Sequence, residues 1–280
     1  MELGLAFDDE DLEENSNKAK PSRPVSYNAK FCPPNWFENA DTTDKDTAVQ
    51  ILKYRGDHSY LKKEYTSAID HYEEALSKLP ENNKAMKREL MESQARSYVA
   101  LQQYNQALHL AYQLRDISSS PDQISQTLVL LTFIQEASQD WPEFEVFMKE
   151  LICCHPHSAN LWRRLALCYW QLYRHNNQGS FEYCKLVTCL IRSRLLFLSV
   201  RRSVGEFVAK RHEEYCKEME QLILELNASE ELIHKAKKFL CHDMSKVEQQ
   251  DGGDNAVQKQ MDVKDFDKRW YSWTDNCLPT

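Results

Sequence analysis

Glycine is scarce in this chain: six in 280 residues, where an average protein carries about 7%. Phosphate-cradling loops, dinucleotide turns and tight β-hairpins need glycine, because only glycine takes positive φ cheaply or lets backbone approach a ligand. Gly4, Gly56, Gly179, Gly205, Gly252 and Gly253 never fall into GxGxxG, GxxxxGK or GxSxG spacing. Most dinucleotide, P-loop and α/β-hydrolase chemistry is thereby excluded. The nine cysteines contain no CxxC pair, so the usual spelling of a zinc or dithiol site is missing. Long hydrophobic runs are missing too. Leu128–Leu131 and Leu195–Leu198 fall far short of the roughly 20 apolar residues that a membrane span needs. The first ten residues, Met-Glu-Leu-Gly-Leu-Ala-Phe-Asp-Asp-Glu, have no basic n-region, which is not a signal peptide's pattern.

What is present is charge and helix-forming side chain. Lys plus Arg number 35 and Asp plus Glu 43, a formal net charge of −8. That balance argues against unspecific duplex binding over the whole surface. Abundant Leu, Glu, Lys, Ala and Gln with little glycine predict an all-α protein. Most cysteines fall in apolar helical stretches, where a reduced thiol serves as a small hydrophobe. An intracellular protein, cytoplasmic or nuclear or both, is the expectation.

Residues 1–44 differ from the rest. Asp8, Asp9, Glu10, Asp11, Glu13 and Glu14 form an acidic block, and prolines 21, 24, 33 and 34 lie nearby. Such a segment buries too little apolar surface to offset its ordering entropy, so it reads as a disordered arm. Within it, 27–37 ends in the apolar Phe31-Cys-Pro-Pro-Asn-Trp-Phe37, which suits docking onto the protein's own body or onto a partner. From about 45 the periodicity is helical, with Pro80, Pro121, Pro142 and Pro156 as punctuation. Helices are predicted near 46–62, 66–79, 84–102, 105–116, 121–138, 141–154, 158–174, 180–202, 204–226 and 229–243. The organisation follows as repeats over 45–175, a helical extension over 176–244, a linker at 245–262 and an aromatic C-terminal tail at 263–280. That tail carries Phe266, Trp270, Tyr271 and Trp273.

A repeat lies inside the helical part. Over 49–82 the small and aromatic residues fall as Gly56, Tyr65, Ala68, Ile69, Tyr72, Ala75, Leu76 and Pro80. Gly56 and Ala68 lack the bulk that would hold two antiparallel helices apart, Tyr65 and Tyr72 fill space between hairpins, and Pro80 ends the second helix. This spelling resembles a tetratricopeptide repeat, or TPR. Residues 88–121 repeat it with Ala95, Tyr98, Tyr104, Ala107, Ala111 and Leu114. Residues 125–158 keep Trp141, Met148, Leu151 and Pro156 but put Thr132 and Phe144 at small positions. A fourth copy opens with Trp162, Leu165, Ala166 and Tyr169; its second helix is out of register after His175–Ser180. More narrowly, Tyr27-Asn-Ala-Lys-Phe-Cys-Pro-Pro-Asn-Trp-Phe, Ala85-Met-Lys-Arg and Phe266-Asp-Lys-Arg-Trp resemble a vertebrate family of uncharacterised TPR-like open-reading-frame proteins first labelled by location on human chromosome 8.

The TPR resemblance implies an all-α solenoid of helix hairpins whose first helices line a concave groove. Carried over residue by residue, it places Lys53, Asp57, Tyr60, Glu92, Arg96, Phe133, Arg163 and Trp170 on that groove. Family members that hold a chaperone's C-terminal carboxylate use a basic and amide clamp. Lys53 fits that clamp, whereas Asp57, Ser93, Gln126 and Leu130 do not. A partner helix or extended peptide is therefore favoured over a chaperone tail, and the protein's own arm or helix is the competing occupant.

Other motifs carry little chemistry. Cys153-Cys154-His155-Pro156-His157 is ligand-rich but lacks a second pair. His212-Glu213-Glu214-Tyr215-Cys216 misses HExxH at its last position. Arg192, Arg194, Arg201, Arg202, Lys210 and Arg211 form one basic stretch, open to phosphate contact or to pairing with Glu213–Glu220. No nucleophile has a recognisable base and orienter beside it. The expectation is a non-enzymatic scaffold with no metal or cofactor; a nucleic-acid-associated adaptor using Arg192–Arg211 is the alternative.

Overall fold

The computed structural model describes residues 35–175, 180–201, 203–250 and 262–276. The acidic block, Cys32, Gly179, Arg202 and Cys277 lie outside the described residues, as do most of the docking segment and of the linker. The chain divides into two compact units, Met1–Ala40 and Asp41–Thr280. The described part of the first is a 3-10 turn, Trp36–Asn39, whose Trp36 and Phe37 rings meet edge-on at 6.2 Å.

The second unit is helical throughout its described residues. Its helices are α1 (Lys45–Leu61), α2 (Tyr65–Lys78), α3 (Lys84–Ala100), α4 (Tyr104–Asp116), α5 (Pro121–Ser138), α6 (Trp141–Cys154), α7 (Ala159–His175), α8 (Ser180–Val200), α9 (Glu206–Glu225), α10 (Glu230–Gln250) and α11 (Phe266–Tyr271). Each of the ten helices read from periodicity is present, most within two residues of the expected ends. The prolines and caps explain that agreement. Asn83, Ser120 and Asp140 accept backbone N–H groups of the first turns of α3, α5 and α6, satisfying donors that a helix start leaves open. One boundary differs. α10 runs on through 245–250, residues expected to open the linker, because no proline or glycine interrupts the chain before Gly252.

Helices pack in chain order: α1 on α2, α3 on α4, α5 on α6 and α7 on α8, each pair also meeting the next. The first helices touch as well, α1 with α3 and α3 with α5. Three turns inside these pairs share one geometry. Lys63, Gln102 and Gln139 all sit at φ near 60–65°. In each turn the following residue's N–H reaches back five positions, as from Glu64 to Ser59, Gln103 to Tyr98 and Asp140 to Gln135. That is a left-handed helix stop with the last carbonyls satisfied. The turn between α9 and α10 repeats it, with Asn227 at φ 50° and Ala228 bonded to Ile223.

The small residues do what their spacing predicts. Ala68, Ala95, Ala107, Ala111 and Ala166 are fully buried. At Gly56 a Cβ would lie 2.4 Å from the Tyr72 ring, so α1 and α2 approach as closely as they do only because nothing is there. A small core around Leu52, Ala68, Tyr72 and Leu90 adjoins a larger one that runs from Met91 to Tyr271.

Beyond α8 the pattern changes. Both α9 and α10 pack on α8, and the tail returns to the body. Phe266, Trp270 and Tyr271 are buried. Trp270 meets Trp162 at 4.9 Å, and Phe266 stacks on Trp162 at 5.6 Å. Full burial of each such ring stabilises by roughly 1.5–3 kcal/mol.

Candidate functional site

The face lined by α1, α3 and α5 brings most of the expected groove residues together. Lys53 donates to Asp57 at 2.8 Å and reaches across to Glu89 of α3 at 3.0 Å. Burial disfavours the Lys53 ammonium, and the two carboxylates more than offset it, so its pKa lies above the usual lysine value. Asp57 also accepts the Tyr72 hydroxyl at 2.8 Å. Tyr60 sits edge-on to Tyr65 at 5.4 Å. On α3, Arg96 grips Glu92 through Nε and Nη2 at 3.1 and 2.7 Å. Its guanidinium lies 5.3 Å over the Phe133 ring of α5, a favourable cation–π distance. One strip of contacts thus joins three helices.

Two hollows open on this strip. The first, about 240 Å³, is walled by Asp57, Tyr60, Leu61, Tyr72, Ser93 and Arg96. Leu61 at its rim is 79% exposed. The second, about 600 Å³, lies between α3 and α5, with Glu89, Glu92, Asp122 and Gln126 on its walls. Arg88 is there too, but its guanidinium donates to the Leu114 and Gln123 carbonyls and to the Ser118 and Thr127 hydroxyls.

The fourth pair is placed differently. Arg163 of α7 makes a bidentate bond to Glu218 of α9 at 2.8–3.2 Å and lies 4.6 Å over Tyr215. A helix of the protein itself, α9, therefore engages Arg163. Trp170 is half-buried and packs against the larger core. Sequence spacing gave no hint of Glu218 and Tyr215 in this role, because the contact spans more than fifty positions.

The other motifs are committed inside the fold. Burial pushes the Cys153 thiol up to about 12, and His155 is hydrogen-bonded to Ser125 at 2.6 Å. Among the described residues no group of three His, Cys, Asp or Glu converges as a metal would need. His212 packs 4.8 Å from the Phe197 ring, and Cys216 is buried. The basic stretch is not one solvent-facing stripe. Arg192 is wholly buried, paired with Asp243 at 2.8 Å and held between Trp162 and Trp270 at 4.8 and 5.3 Å. Arg194 pairs with Glu220 and Arg201 with Glu213. Burial raises the Asp243 carboxyl, but Arg192 and Arg269 outweigh it and hold it below the ordinary value. A second cluster ties Glu145 to Lys149 at 2.7 Å, Lys185 at 3.5 Å and the Tyr169 hydroxyl at 2.8 Å. Lys149 also pairs with Asp267 of the tail at 2.8 Å. Charge pairing anchors the tail as well as aromatic packing.

Residues 1–180 match a family of unknown function, DUF5588. The chain belongs to that family. It is 33% identical over 168 residues to a rat protein named "Uncharacterized protein C8orf76 homolog", across 60% of this chain and 45% of the relative. It is 32% identical over 171 residues to the human "Uncharacterized protein C8orf76", across 61% and 45%. The chain thus spans under half the length of these relatives. The chromosome 8 resemblance read from the flanking motifs agrees with both. No solved structure matches the chain. All of α8 but Ser180, and the whole of α9, α10 and α11, lie beyond residues 1–180. Among the described residues no helix is long and apolar enough to cross a membrane.

Proposed function

We propose that the chain is a non-enzymatic scaffold of TPR-like stacked hairpins that holds a partner's helix or extended peptide on the face of α1, α3 and α5. The observation that carries this reading is the open apolar hollow beside Tyr60, with Leu61 79% exposed at its rim. A large side chain left in water at the mouth of a concavity is what an interface covers. Four supports stand behind the TPR-like arrangement. They are the shared left-handed turn, the small residues at matching positions, the approach at Gly56 and the contacts between successive first helices. Function itself rests on the site and not on fold likeness alone.

The test is proximity labelling in cells, followed by co-purification, with wild type compared against Leu61→Asp and Tyr60→Ala. Both variants should melt close to wild type, since Leu61 is exposed and Tyr60 only half-buried. Loss of the same set of partners in both is the expected result. Unchanged recovery by the folded variants would move binding to another surface.

A further inference from the structure

We infer that the partner segment is a basic amphipathic helix, presenting one large apolar side chain with a Lys or Arg three or four residues away. The inference rests on the groove reading above and specifies its ligand. The hollow beside Tyr60 has a size suited to one leucine, methionine or phenylalanine side chain, and Tyr60, Leu61 and Tyr72 give it apolar walls. Ser93 and Arg96 mark where it meets α3. On that helix Glu89 lies one turn before Ser93 and Glu92 one turn before Arg96, each about 6 Å along the axis, and both stand on the wall of the second hollow with Asp122.

The charges of this face are lopsided in availability more than in number. Lys53, Arg88 and Arg96 each engage neighbours inside the fold. Lys53 is shared between Asp57 and Glu89, and Arg88 is turned onto carbonyls and hydroxyls of its neighbours. Arg96 holds Glu92 while its flat face covers Phe133. The carboxylates keep open acceptor positions, since each oxygen pair accepts more bonds than it receives here. The Glu89 side chain is 54% exposed, and Asp122 is exposed. Among the described residues an incoming anion would meet four carboxylates, Asp57, Glu89, Glu92 and Asp122, on the walls of the two hollows. An incoming ammonium or guanidinium would meet acceptors on three helices. Helical spacing in the ligand matches the one-turn offset between hollow and carboxylates, since side chains three or four apart share a face.

The experiment pans a phage-displayed random-peptide library on the purified full chain and measures the selected peptides by titration at low and high salt. Peptides carrying a large apolar residue with Lys or Arg at a spacing of three or four are expected. Their binding should weaken with salt, vanish on Leu61→Asp, and fall about tenfold on Glu92→Lys, because like charges then face each other. Glu92→Gln should give a smaller loss, and serves if Glu92→Lys fails to fold. Peptides that are lost on Leu61→Asp but show acidic character or no charge preference would overturn this inference and leave the groove reading standing. Peptides indifferent to Leu61→Asp, or no selected peptide at all, would overturn both.

Discussion

At the scale of single residues, the packing is set by what is missing as much as by what is present. Gly56 has no Cβ where Tyr72 would collide with one, the closest ring atom lying at 2.4 Å. Gly56→Ala must therefore push the Tyr72 ring or the whole of α2 outward. We expect a loss of about 1–3 kcal/mol in urea unfolding, although alanine is the better helix former. Exposed Lys210→Ala should stay within about 0.5 kcal/mol. Equal midpoints for the two variants would mean that α1 and α2 do not meet at Gly56. Thiol reactivity gives a second residue-scale check. Burial pushes Cys153 and Cys189 each up to about 12, so neither offers thiolate near neutrality, whereas Cys241 is exposed. Of the described cysteines, timed alkylation read by mass spectrometry should label Cys241 first. Early labelling of Cys189 would contradict the burial of that position.

At the scale of elements, helix positions were legible in the sequence because prolines, caps and the apolar period all fall on the same boundaries. The turns were not. A left-handed stop is normally announced by glycine, and this chain puts Lys63, Gln102 and Gln139 there instead. Each such residue bears a steric cost of roughly 1–2 kcal/mol, partly regained in a glycine variant because glycine loses more freedom on folding. Gln139→Gly should raise the melting temperature, with a gain of up to about 1 kcal/mol. No gain, or a loss, would mean that the Gln139 side chain contributes more than the backbone strain removes. The strip from Lys53 to Phe133 was legible in outline, since repeat register assigns lining positions. That Arg163 is claimed by Glu218, and that Arg192 is buried against Asp243, was not. Those pairs join residues over fifty apart, and no local pattern marks the partner of a charge.

At the scale of the whole molecule, two charge clusters make stability depend on acid. Asp243 and Glu145 both titrate below their ordinary values of 3.8 and 4.5, despite burial, because of Arg192 and Arg269 in one case and Lys149 and Lys185 in the other. Their folded pKa values lie below the unfolded ones, so unfolding takes up protons and stability falls as pH drops. The contribution should be complete above about pH 5 and fade as pH falls below the two ordinary values. Asp243→Asn should destabilise by about 3–5 kcal/mol at neutral pH, since it leaves Arg192 buried without its counter-charge, and should flatten the acid limb of the melting curve. A variant with wild-type melting at both pH values would sink the pairing. The tail carries a consequence for the order of events in making the protein. Trp162 and Trp270 touch, yet more than a hundred residues separate them, and contacts of that reach close late. A nascent chain that has just released α7 and α8 must keep the faces of Trp162 and Tyr169 uncovered until residues 266–271 leave the ribosome. The core around Trp162 is thus closed by an aromatic segment distant in sequence, and a chain cut short before residue 266 would present those faces to chaperones and proteases.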